Sequence, residues 1–132
     1  MPSWTTLLRR PELIEGLYST PPSLADFDLS EVSFDAAQNS CSLRGTLSEF
    51  PDFPRTGWED DANRVGIRLL LEGLEEFEIR GWSFENIVHL SIRLLHEGPK
   101  IAVSAEGKQT SLQAVCSTLH LEDLFAYHSV EG

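Results

Sequence analysis

Four histidines, His89, His96, His120 and His128, are the first candidates for metal or acid–base chemistry. None has a second His, a Cys or an Asp at the spacing of a known zinc motif. His120 precedes Glu122 and Asp123, which reads more simply as the polar edge of a strand or turn than as a ligand set. Paired carboxylates can divide acid and base roles when their surroundings split their pKa values. Glu76 and Glu78 share one face of a strand-like run, and Glu59, Asp60 and Asp61 are contiguous, yet no apolar cleft residue is arranged around either set. A charged outer face and an acidic turn account for them. Cys41 and Cys116 lie in the apolar contexts SCSLRG and AVCSTL and read as buried free thiols, without a base to activate them. There is no G-x-S-x-G, no P-loop and no G-x-G-x-x-G. These residues point away from an enzyme, and neither a metal nor a cofactor is expected.

What remains is surface. Tryptophan and arginine are common anchors of protein interfaces. Trp58 ends the stretch EFPDFPRTGW, in which Pro51 and Pro54 would hold a loop extended, lowering the ordering cost of binding or equally serving as a structural belt. Trp82 follows Arg80–Gly81 at a strand end and reads as closing the core. The charge balance is more pointed: 10 Lys+Arg against 21 Asp+Glu give a formal net charge of −11. That disfavours nucleic acid, whose phosphates need a basic surface, and favours basic partners, although the same charge also serves solubility. No run approaches the roughly 20 apolar residues of a membrane span. The first residues, MPSWTTLLRRPEL, lack the positive n-region of a signal peptide, so the cytoplasm is the expected compartment.

The 132 residues fit a single domain of 1–132, with a helical segment over 1–18, a connector over 19–28 and an antiparallel sheet over 29–132. Ser3 can cap a first helix whose Trp4, Leu7 and Leu8 share a face; Leu13, Ile14 and Leu17 share another. Pro11 between them predicts two short helices rather than one. Beyond the Pro21–Pro22 connector the period becomes two. Val32 and Phe34, then Cys41, Leu43 and Gly45, predict a hairpin around AAQNS. Val65, Ile67, Leu69 and Leu71 lead to a Glu72–Gly73 turn and then to Phe77 and Ile79. Val88, Leu90, Ile92 and Leu94 follow, with Ile101, Val103 and Ala105 beyond the turn HEGPK. Residues 112–130 supply the last one or two strands. About eight strands joined by short turns predict a β-dominated α+β fold. The helical segment would pack on a mostly antiparallel meander that is strongly curved or sandwich-like.

Several of these pieces occur in an order that resembles the Imm50 family of bacterial immunity proteins from polymorphic toxin systems. They are the opening SWTTLLRRPELIEGLYSTPPSL, the strand pair VSFDAAQNSCSLRGTL, the stretch FPDFPRTGWEDDANRVGIRLLLEGLEEFEIRGW and the final AYHS. The resemblance implies an inhibitor that binds and neutralises a cognate toxin domain, and it brings no catalytic residues. Charge adds a basic toxin surface to that expectation. The residues named for partner binding are Trp58, Glu59, Asp60, Asp61, Glu76 and Glu78, with the acidic run nearest the partner. Pro51, Pro54, Asn63 and Trp82 serve equally well as scaffold. A small-ligand binding β-module without catalytic activity, and an assembly protein using its sheet edge, are the alternatives.

Overall fold

Val65, Ile67, Leu69 and Leu71 are all fully buried, while Arg64, Arg68, Leu70 and Glu72 between and beside them are not. This alternation of an extended chain with one oily face recurs in most of the strands. The computed structural model describes residues 4–9, 11–54, 58, 61–83, 85–95 and 100–129. Its strands are β1 (Phe27–Asp35), β2 (Ser40–Thr46), β3 (Arg64–Glu72), β4 (Glu76–Arg80), β5 (Ile87–Leu95), β6 (Lys100–Gly107), β7 (Ser111–Cys116) and β8 (Thr118–Tyr127). A 3-10 turn (Trp4–Leu7) and a single turn of helix, α1 (Glu12–Glu15), precede them. The expected break at Pro11 is there, at the N-cap of α1; Ser3 and Arg10 lie outside the described residues. The sheet begins at Phe27, two residues earlier than the periodicity suggested.

All eight strands form one open antiparallel sheet, in the order β4-β7-β6-β5-β1-β2-β3-β8. It is not one simple meander. β1-β2-β3 and β5-β6-β7 are each a meander, and each is completed by the strand that follows the other: β8 lies beside β3 and β4 beside β7. Exchanging every strand number n with n+4 reproduces the same order read from the opposite edge. The halves meet at a narrow joint, where only Phe27 and Asp28 of β1 pair with Val88 and Ile87 of β5. They then fold over one another. Phe34 of β1 stacks on Phe77 of β4 with ring centroids 5.5 Å apart, and β8 approaches β6.

The exchange is tied together at the end where β3 passes to β4 and β7 to β8. The Ser117 N–H donates to Glu72 O at 3.0 Å, and the Glu75 N–H to Val115 O at 2.8 Å. Asn39 ties in the β1–β2 turn by donating from Nδ2 to Leu74 O at 2.9 Å. Gly73 has φ +69°, and a Cβ there would lie 1.8 Å from Ser117 Oγ. Gly73→Ala is therefore expected to cost at least about 1–2 kcal/mol from the left-handed backbone alone. The midpoint of urea unfolding measures it, and an unshifted midpoint would mean that the crossing rearranges freely.

Cys41 and Cys116 are buried and free on the inner faces of β2 and β7. Burial pushes each thiol up to about 11, and for Cys116 the neighbouring Cys41 adds to the effect. Both should remain thiols up to that range and resist iodoacetamide at neutral pH, each taking one label only after denaturation. Mass spectrometry of native and unfolded samples reads this directly; rapid labelling of the native protein would contradict the buried assignment.

The N-terminal segment seals one side of the folded sheet. Leu8 forms a parallel bridge with Leu119 at the free edge of β8, and the Arg9 N–H donates to Leu119 O at 3.0 Å. The 3-10 turn packs on β5 across the gap. Trp4 and Leu8 are buried, and Trp4 Nε1 donates to Pro22 O at 2.9 Å.

Candidate binding surface

The sequence of β4, Glu-Phe-Glu-Ile-Arg, sends Glu76, Glu78 and Arg80 to one side and Phe77 and Ile79 to the other. Register continues the outer side across three more strands. Glu78 lies opposite Gln113, which lies opposite Ser104 and then Ser91. Glu76 leads in the same way through Val115 and Ala102 to Arg93. Small side chains at Ala102 and Ser104 leave an open trough of about 900 Å³, walled by Glu75, Glu76, Glu78 and Glu106. Among the described residues, Arg93 is the one cation lining it. At the rim, Lys100 Nζ meets Glu75 at 2.8 Å, and the Arg80 guanidinium pairs with Glu78. Such exposed pairs are worth only about 0–1 kcal/mol, so they exchange readily for a partner's charges. Among the described residues no cation pairs with Glu76.

Residues 49–54 of the EFPDFPRTGW stretch pack against the N-terminal segment. Tyr18 Oη donates to Glu49 O at 2.8 Å, and the Phe53 N–H to Leu17 O at 2.9 Å. Burial, with Glu49 and Asp52 nearby, holds the Tyr18 phenol above its ordinary range. The Ser19 N–H and hydroxyl both donate to Asp52, at 2.9 and 2.8 Å, and hold its carboxyl below the usual carboxylate range. Pro51 is buried and Trp58 half-buried, with the Trp58 ring 6.3 Å from that of Phe50. Phe53 is exposed and Phe50 partly so, and residues 49–54 form a belt with both phenylalanines reaching its outside.

The residues named from sequence therefore form two groups. Trp58 and Asp61 precede β3, whereas Glu76 and Glu78 follow its far end, so a strand of nine residues, roughly 25–30 Å long, lies between them in the chain. Glu59 and Asp60 lie outside the described residues. Asp61 is exposed, and its carbonyl oxygen lies 2.9 Å from His128 Nδ1. Asn63 is scaffold: its side chain donates to Ser129 O at 3.0 Å and accepts from the Ser129 N–H at 2.8 Å. Trp82 does not close the core but is 47% exposed, a correction to the expectation from sequence. It follows Gly81, whose φ of +72° turns the chain at the end of β4. Glu75 and Glu106 were missed because alternation gives the face of a strand and not its neighbours.

Among the described residues, no three His, Cys, Asp or Glu side chains converge as a metal site would require, and no helix is long and apolar enough to cross a membrane. The site on the described residues is an acidic trough on an antiparallel sheet. The Immunity protein 50 model matches residues 10–127, and the chain belongs to this Imm50 family of immunity proteins. No curated protein and no solved structure matches the chain.

Proposed function

We propose that this protein binds and neutralises a cognate toxin domain of a bacterial polymorphic toxin system, acting in the cytoplasm and without catalysis of its own. Membership of the immunity family over residues 10–127 carries the reading. The trough supports it, because four acid side chains around a small-residue floor suit a partner that presents Lys or Arg. An excess of acid over base across the chain would repel nucleic acid while drawing in a basic toxin surface.

The test is capture of the tagged protein from its native host at low salt, followed by co-expression with whatever is recovered. The expected result is a stoichiometric partner whose toxin domain arrests growth, with the arrest lifted by this chain. A growth arrest that this chain leaves untouched would overturn the reading. So would a metabolite that raises the melting temperature when no protein partner is found, which would favour the ligand-binding module.

A further inference from the structure

The strand exchange creates two equivalent lateral openings, and the described residues fill only one. At the free edge of β8, facing β5, residues 4–9 are seated, with Leu8 bridged to Leu119 and Trp4 buried beside it. The equivalent place under the n to n+4 correspondence is the free edge of β4, facing β1. No described segment lies there. Beyond its joint with β5, β1 has no strand on that side from Ser30 to Asp35, and β4 pairs only with β7. The space is a wedge of about 430 Å³, closed at one end by the Phe34–Phe77 stack and lined by Val32, Ile79 and Trp82. Phe34, Ile79 and Trp82 are 55%, 39% and 47% exposed. Edge strands are ordinarily blunted by charge, and β4 has that charge on its outer side while its inner side stays apolar.

We infer that this wedge receives an extended basic segment of the toxin, seated at β4 as residues 4–9 are seated at β8. The occupant follows from the surroundings. An apolar anchor side chain fills the space over Phe77 and Trp82. Flanking Lys or Arg side chains meet Glu31 on the wedge wall and Glu76 and Glu78 on the outer side of the same strand. The one nearby cation on β4, Arg80, is already held by Glu78. Backbone pairing supplies affinity and the wedge supplies selectivity, as in other cases of strand addition. The identity of the partner rests on the immunity reading, but the site and the chemistry of its occupant do not.

Two measurements test it. In the first, the isotope-labelled protein is titrated with a short synthetic peptide alternating lysine with isoleucine, and with one alternating lysine with serine. The expected result is amide shifts confined to Ser30–Phe34 and Glu76–Trp82, produced by the isoleucine peptide and not by the serine peptide. Equal shifts from both, shifts elsewhere, or none would overturn the site. In the second, Trp82→Ala and Ile79→Ser, both at exposed positions and checked for native amide dispersion, are measured against the purified toxin domain. A loss of about tenfold or more in affinity is expected. Wild-type affinity in both variants would overturn the wedge and leave the immunity reading intact. Selective isoleucine-peptide binding with no toxin found would do the reverse. A concentration-dependent dimer abolished by Trp82→Ala would reassign the wedge to a second copy of this chain.

Discussion

Phe27→Ala is expected to destabilise the protein by about 3–5 kcal/mol, a large share of the ordinary domain stability of about 5–15 kcal/mol. Phe27 is 0% exposed and pairs with Val88 at the narrow joint that connects the two halves of the sheet. Its ring lies against Gly45 of β2, where an added Cβ would stand 2.4 Å from Phe27 Cε2. Truncating the ring removes apolar burial and leaves a cavity at the one place where β1 serves both halves. Phe27→Leu keeps most of the volume and is expected to cost less, below about 1.5 kcal/mol if the neighbours repack. Urea unfolding followed by far-ultraviolet circular dichroism separates the two. A loss under about 1 kcal/mol for the alanine variant would show that the joint does not depend on this ring.

Reversing Glu76 and Glu78 to lysine together is expected to slow association with the toxin by about tenfold or more at low ionic strength, with the dissociation rate changed much less. Both side chains are exposed on the outer side of β4, so the fold should be unaffected. The effect should shrink as salt rises, because the screening length falls from about 10 Å at 0.1 M to about 3 Å at 1 M. The comparison variant reverses Asp60 and Asp61, placed nearest the partner by sequence alone. Asp61 sits at the opposite end of β3 from β4, so that variant should slow association less. Stopped-flow association at two salt concentrations reads both. If the Asp60/Asp61 variant proves slower, the contact belongs to the loop before β3 and the trough is only a solvated face.

The strands were legible because their inner residues alternate over long runs, as in Val65 to Leu71. Breaks in phase mark what that alternation left open. Leu112, Ala114 and Cys116 point inward, and then Leu119 and Leu121 do, so the phase slips at Ser117, where β7 ends. Phe27 and Leu29 give way to Val32 and Phe34 across the irregularity between Leu29 and Glu31 in the same manner. Pairing was not legible. Gly73 between two alternating runs suggests a hairpin, yet Glu76 pairs with Val115. A short link fixes how the chain leaves a strand and says nothing of which distant edge it joins. The same gap explains the site. Alternation placed Glu76 and Glu78 on an outer face, but that Glu106 and Gln113 share their trough, or that Phe34 faces Phe77, depends on contacts far apart in sequence.

The exchanged fourth strands also set a timetable. Neither meander can finish its own sheet: β3 waits for β8, the last of these eight in chain order, and β7 is completed by a strand made well before it. A ribosome adding roughly 5–20 residues per second needs on the order of ten seconds for a chain of this size. Until residues 118–127 emerge, β3 keeps an unpaired edge. A chain cut before β8 therefore presents an exposed strand edge prone to aggregation. On the immunity reading, a cell making toxin and antidote together is protected only from the moment the antidote's final strand docks.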